Sequence, residues 1–312
     1  MTTAPARIRG KQRPADRVFS GGATFAGSLI LVILAAVGIF LVAQSLPGLV
    51  AKPEDLKGGA ANFWIYVGPL VFGTIWAAAL ALIIALPIAI GIALFISHYA
   101  PRRLAQGLGY VIDLLAAVPS VVFGLWGGKV LAPAIQPFYD FLVTNLGWIP
   151  LFAPPVSGTG RTILTVAIVL AVMILPIITA LSREIFLQTP KLHEEAALAL
   201  GATRWELIKM AVLPFGRSGI VSAAMLGLGR ALGETMAVAM VLSPAVVVSF
   251  VLTGSQNPAT IASNIALNYP EAHGIGVNVL IATGLVLFVI TFIVNAIARW
   301  VVSRRKEFSG AN

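Results

Sequence analysis

Two charged residues, Arg230 and Glu234, stand inside an otherwise apolar stretch, Met225 to Met240, MLGLGRALGETMAVAM. A guanidinium stays charged and offers its N–H donors in a planar fork that matches the oxygens of a phosphate-like anion. A carboxylate four residues later shares its helical face and can hold and neutralise it between binding events, although Arg before Glu is the less favourable order along the helix dipole. A span starting near Gly219 puts Arg230 roughly 16 Å along its axis, close to the middle of a bilayer core about 30 Å thick. An unpaired charge at that depth costs about 2.5–3.5 kcal/mol on insertion scales, so Arg230 faces a polar path or a helix partner, not lipid. The competing reading is a pair that only staples helices together. Gly227, Gly229 and Gly233 admit a close neighbour in either case. Arg161, a cation at the start of another apolar run, is a third candidate for the path by position and charge.

Other chemistries lack their residues. There are no cysteines, and His98, His193 and His273 are scattered, which leaves no metal-ligand cluster and no redox pair. The P-loop pattern GxxxxGK[ST] is absent, so the chain is expected to bind no ATP or other cofactor itself. GLGRALG imitates a dinucleotide fingerprint, but no strand precedes it. An integral membrane enzyme would need a polar constellation with a nucleophile, base or metal, and the only buried pair expected here is one Arg with one Glu.

The elements that must position these residues are membrane spans. The 312 residues are 58% hydrophobic and 11% charged with a mean hydropathy of +0.94, which excludes an ordinary soluble domain. The net charge of +9 sits at the ends of apolar runs, with no basic domain for nucleic acid. A basic arm, residues 1–20, leads into a first span near Phe25 to Leu46; that run is too long for a signal peptide, and with the polar link after Lys52 it forms a segment 21–66. Further spans are expected within Gly68–Ser97, kinked at Pro87, and over Leu104–Leu131, broken or bent at Pro119. Others fall at Arg161–Leu181, from Gly219 to before Pro244, and at Gly274–Ile297, with a short tail at 307–312. Residues 133–160 read as an interfacial loop with short helical pieces. Sixteen of the twenty-one Lys and Arg residues then fall on one side, which the positive-inside rule assigns to the cytoplasm together with both termini.

One cytoplasmic insert is amphipathic, Glu194 to Pro214, EEAALALGATRWELIKMAVLP. Thr189 is placed to cap a helix that has Pro190 at its first position and Glu194 and Glu195 early, where the dipole favours them. Leu192, Ala196, Ala199 and Leu200 form one face, and Gly201 ends the helix. Thr203 and Glu206 have capping-box spacing for a second helix, with Trp205, Ile208 and Val212 as its apolar stripe. Such a pair of short helices suits a partner's groove better than the membrane surface.

Glu195, Ala196, Ala197, Gly201, Leu213 and Pro214 match the EAA loop of ABC importer permeases, departing at Ala211, where the family pattern has isoleucine. With PSVVFGLWG at Pro119–Gly127 and LGLGRALGETMAVAMV, the chain resembles the phosphate-specific subfamily over residues 67–306, with a coupling loop at 189–214. The resemblance implies an all-α polytopic bundle of six transmembrane helices, of the MetI-like type I permease class, in the cytoplasmic membrane. It implies import of inorganic phosphate together with a PstA-like permease subunit, a PstB-like ATPase dimer that binds ATP and Mg, and a PstS-like phosphate-binding protein, with membrane lipid around the bundle. Glu194, Glu195, Ala196, Ala197, Gly201, Thr203, Trp205, Leu213 and Pro214 would form the ATPase-coupling surface, and Arg230 and Glu234 the substrate path. A permease for sulfate or molybdate, or the sister PstA subunit, is the alternative within transporters, and a membrane scaffold is the alternative outside them.

Overall fold

The structure, a computed structural model, describes residues 14–303. The expectations for the basic arm before residue 14, and for Arg304, Arg305, Lys306 and the tail, lie outside the described residues.

The expected first span is α1 (Pro14–Leu49). A polar link leads to α2 (Phe63–Leu94), opened by Asn62, whose side chain accepts the Ile65 N–H at 3.0 Å. A π turn, Phe95–Tyr99, prolongs it. α2 runs on through Pro87, and the chain breaks at Pro119, as expected, between α3 (Arg102–Ala116) and α4 (Ser120–Trp126). Proline there withholds an N–H and drives Val118 out of helical geometry. α4 continues through a second π turn, Gly127–Leu131, into α5 (Ala132–Leu146), and this rod lies at 89° to α3. The stretch from 133, expected as a loop, therefore begins as a full helix, because Pro133 falls in the first turn, where no N–H is missed.

α6 (Ile163–Leu187) is capped by Thr162, whose hydroxyl accepts the Thr165 N–H at 3.2 Å. α7 (Lys191–Ala199) and α8 (Arg204–Leu207) follow, then a third π turn, Ile208–Val212, and α9 (Leu213–Leu232). The expected fifth span does not run whole to Pro244: it stops at Leu232 and restarts as α10 (Met236–Val241). Two parallel two-residue strands, β1 (Pro244–Ala245) and β2 (Asn257–Pro258), precede α11 (Ile261–Asn268) and the last span, α12 (Ile275–Ser303). Among the described residues, five helices are long and apolar enough to cross a membrane, or six with the bent pair as one, so the polytopic all-α bundle is observed.

Lipid tails are as apolar as leucine, so close packing and hydrogen bonds hold such a bundle together. On α2 a stripe of alanines at every fourth position, Ala77, Ala81, Ala85, Ala89 and Ala93, is at most 1% exposed. All but the last lie in a central core with α6, α9 and α10, where small side chains let the helices approach. At one end Phe63, Tyr66 and Leu70 meet Ile261 and Val279; at the other Ala93, Leu94 and Phe186 meet Ala197, Ile208 and Val212. α1 packs chiefly on α12, where the Asn278 amide donates to the Gln44 carbonyl at 2.7 Å, and most of its apolar surface is exposed as lipid contact requires.

Candidate functional site

Arg230 occupies the last turn of α9. Gly227, one turn earlier, packs on Ile174 and Ile178 near the midpoint of α6, so Arg230 lies at mid-bundle, as its sequence position implies. Its Nε is buried and donates to no protein acceptor. The expected partner is elsewhere. α9 ends at Leu232, so Glu234 no longer shares a helical face with Arg230, and no ion pair joins them. Glu234 is buried, and its Oε1 accepts the Ala237 N–H at 3.0 Å at the start of α10. The α9 carbonyl end replaces the carboxylate as the negative neighbour of the guanidinium, since the dipole at a C-terminus favours a cation. Arg230 is half-buried, and its Nε is a buried donor without a protein acceptor, which costs more than a paired one.

Arg161 stands just before α6 and is exposed, and its Nη2 donates to the Met240 carbonyl at 2.9 Å. α10 is thus held at both ends, by a carboxylate at its first N–H groups and a guanidinium at its last carbonyls, the arrangement its dipole prefers. Its side is held by α4. A Cβ on Gly124 would stand 2.8 Å from the Ala237 Cα, and one on Gly128 2.7 Å from the Met240 carbonyl oxygen. These contacts run in the same order along both helices, so α4 and α10 are parallel. The GLWGG run in the sequence therefore serves packing against α10. Asn257 joins the loops nearby: its Oδ1 accepts the Ile163 N–H at 2.8 Å and its amide donates to the Arg161 carbonyl at 3.0 Å. Sequence reasoning passed over Asn257, because a hub of partners roughly a hundred residues away leaves no local pattern.

At the opposite end, the coupling loop has its expected two-helix form. Gly201, at φ +83°, makes the bend. The capping box is complete: Thr203 N–H donates to Glu206 Oε2 at 2.8 Å and Glu206 N–H to Thr203 Oγ1 at 3.3 Å. The Thr203 N–H first, and then the Thr203 hydroxyl, which also donates to Oε2 at 2.8 Å, hold the Glu206 carboxyl below its usual pKa. Thr189 does not cap α7: Pro190 takes the cap position and the Thr189 hydroxyl is buried without a partner. Leu192, Glu195, Ala196, Leu200 and Pro214 are exposed, Leu213 is half-buried and Ala197 faces inward. Trp205 leaves the expected stripe; Ile208 and Val212 are buried while Trp205 stays exposed under the Lys209 ammonium, 5.7 Å from its ring centre. The π turn that starts at Ile208 takes more residues per turn and so rotates Trp205 off the buried face. Glu194 is also turned away from the exposed surface, with Oε1 3.5 Å from the Nε2 of His98, a residue that no local pattern joins to it.

The family described as "Binding-protein-dependent transport system inner membrane component" matches residues 85–307. The chain is 45% identical over 319 residues to the "Phosphate transport system permease protein PstC 2" of Mycobacterium tuberculosis, covering 95% of each. It is 39% identical over 314 residues to the "Phosphate transport system permease protein PstC" of Mesorhizobium japonicum, covering 95% of this chain and 92% of the relative. Among solved structures, a bacterial ABC transporter involved in import of the acidic polysaccharide alginate matches with a TM-score of 0.57 and 16% identity, over 95% of this chain and 100% of that one. The inward-facing MetNI methionine ABC transporter matches at 0.52 and 16%, over 77% and 94%. At those identities the likeness is one of fold.

Proposed function

The chain belongs to the binding-protein-dependent transport system inner membrane component family, and from that premise we propose that it is the permease subunit through which an ABC importer carries inorganic phosphate across the cytoplasmic membrane. It is a transporter subunit and not an enzyme. The observation that carries the substrate is the 45% identity across nearly the whole length of a phosphate permease. A half-buried arginine at mid-bundle whose buried Nε has no protein acceptor supports it, because phosphate oxygens supply the acceptor that the protein does not.

In this reading Arg230 is the anion's contact inside the membrane. Glu234 and Arg161 position α10 beside it and do not bind the anion themselves. The coupling loop lies in the cytoplasm with both termini, and its exposed apolar residues seat in a PstB-like ATPase dimer that holds ATP and Mg. A PstA-like subunit completes the pathway, and a PstS-like binding protein delivers phosphate on the outer side. ATP-driven closure of the ATPase pushes α7 and α8, and the breaks at Pro119 and Gly233 let α4 and α10 move against α3 and α9 to expose Arg230 to each side in turn.

The test is reconstitution of the chain with those partners in vesicles and measurement of ATP-dependent uptake of labelled phosphate against competing sulfate and molybdate. Absence of ATP-dependent uptake of labelled phosphate removes phosphate as the substrate, and suppression by sulfate or molybdate equal to that by unlabelled phosphate removes selectivity for it.

A further inference from the structure

His98 and Glu194 meet where the long α2 helix ends and the coupling helix α7 begins. The imidazole is 13% exposed and the carboxylate 29%, with 3.5 Å between Nε2 and Oε1. The other ring nitrogen, Nδ1, lies 2.7 Å from the Ser97 hydroxyl, which also reaches the Leu94 carbonyl at 3.3 Å. The ring is thus held from its own side by the π turn Phe95–Tyr99 and presented to α7.

Glu194 lies three residues before Ala197, on the same inward face, and Ala197 packs in the apolar cluster with Ala93, Leu94 and Phe186. Among the described residues, this is the only polar side-chain contact between residues 191–212 and the rest of the chain. Apolar packing is non-directional and lets surfaces slide, whereas a close contact between two polar side chains sets one register. The bundle end of that register is α2, whose alanine stripe shares the central core with Ala231 and Leu232, the neighbours of Arg230 along the chain.

We infer that the His98–Glu194 contact is the latch that ties the coupling helix to α2 and converts displacement of α7 into movement of the bundle around Arg230. Glu194 is then a positioning residue acting through His98, and no part of the surface that touches the ATPase. The inference rests on the permease reading above.

The experiment uses the full complex in vesicles and measures phosphate imported per ATP hydrolysed. His98→Gln and Glu194→Gln are each expected to lower that ratio about three- to tenfold, the scale of coupling carried by one element between distant sites. The concentration of loaded binding protein that gives half-maximal uptake stays unchanged. The double variant falls no lower than the worse single one, and exchanging the partners, His98→Glu with Glu194→His, restores most of the ratio. A wild-type ratio in either single variant overturns the latch, as does a double variant whose loss is the product of the two. A contact that only stabilises the fold also overturns it, by lowering complex yield, hydrolysis and uptake together at an unchanged ratio. A wild-type complex that hydrolyses ATP but imports another anion in place of phosphate overturns the substrate reading alone, and the latch is then read on that anion.

Discussion

Arg230 and Glu234 stand four residues apart without pairing, because the helix that carries the arginine ends at Leu232 and the glutamate caps the next helix through the Ala237 N–H. The separation leaves a half-buried cation whose buried Nε has no protein acceptor, in the middle of a bundle whose relatives carry phosphate permease names.

Replacing that cation removes charge-assisted hydrogen bonds to the anion. Arg230→Gln is expected to lower phosphate uptake about ten- to a hundredfold. Arg230→Lys keeps the charge but loses the planar fork, and so falls between. Uptake by vesicles containing the assembled complex checks both, with thermal stability measured alongside. Because Nε is unmatched in the protein, neither change is expected to destabilise the complex.

Glu234 separates two roles by a single atom. Glu234→Gln still accepts the Ala237 N–H and should keep most activity, whereas Glu234→Ala loses the cap, at a cost of about 0.5–2 kcal/mol in local helix stability. Equal losses in the two variants would assign the charge itself to transport.

The close contact of the π turn after α4 with α10 leaves no room for a side chain at Gly128. Gly128→Leu is expected to cost about 1–3 kcal/mol through overpacking and to lower the melting temperature of the purified complex. Gly107, whose Cβ would meet nothing within 4 Å, should accept alanine with no loss.

Acidification should loosen the coupling loop. Glu206 is held below its usual pKa by the Thr203 backbone N–H and then by the Thr203 hydroxyl. A lowered folded value means that the capping box contributes fully above the unfolded carboxylate value and is lost as pH falls through the lowered one. Affinity for the ATPase subunit, titrated from about neutral to about pH 4, should therefore fall in the wild type. Glu206→Gln should remove that part of the dependence.

The chain has no cysteine, so a single introduced thiol reports topology directly. Leu200 is 85% exposed at the bend of the coupling loop, and Leu200→Cys should react with an impermeant maleimide only from the cytoplasmic side. Assembly with the ATPase subunit should protect it. Labelling from the outer side would reverse the orientation.

The apolar runs, the basic residues at their ends, the bend at Gly201 and the Thr203–Glu206 box were all legible in the sequence, because hydropathy, turn chemistry and capping act within a few residues. The break at Pro119 was legible for the same reason. Pro137, inside α5, shows the limit: a proline in a helical stretch states a local penalty, and packing decides whether it is met. The pairing of Arg230 with Glu234 failed because it assumed one continuous helix, and where that helix stops depends on the close seat that α4 and α6 give α10. The turn of Glu194 toward His98 and the links of Asn257 to α6 belong wholly to the tertiary structure, since they join residues almost a hundred positions apart. Local order follows from the chain's own alternation of apolar and polar residues, whereas the partner of a buried charge is decided by which helices come to lie beside it.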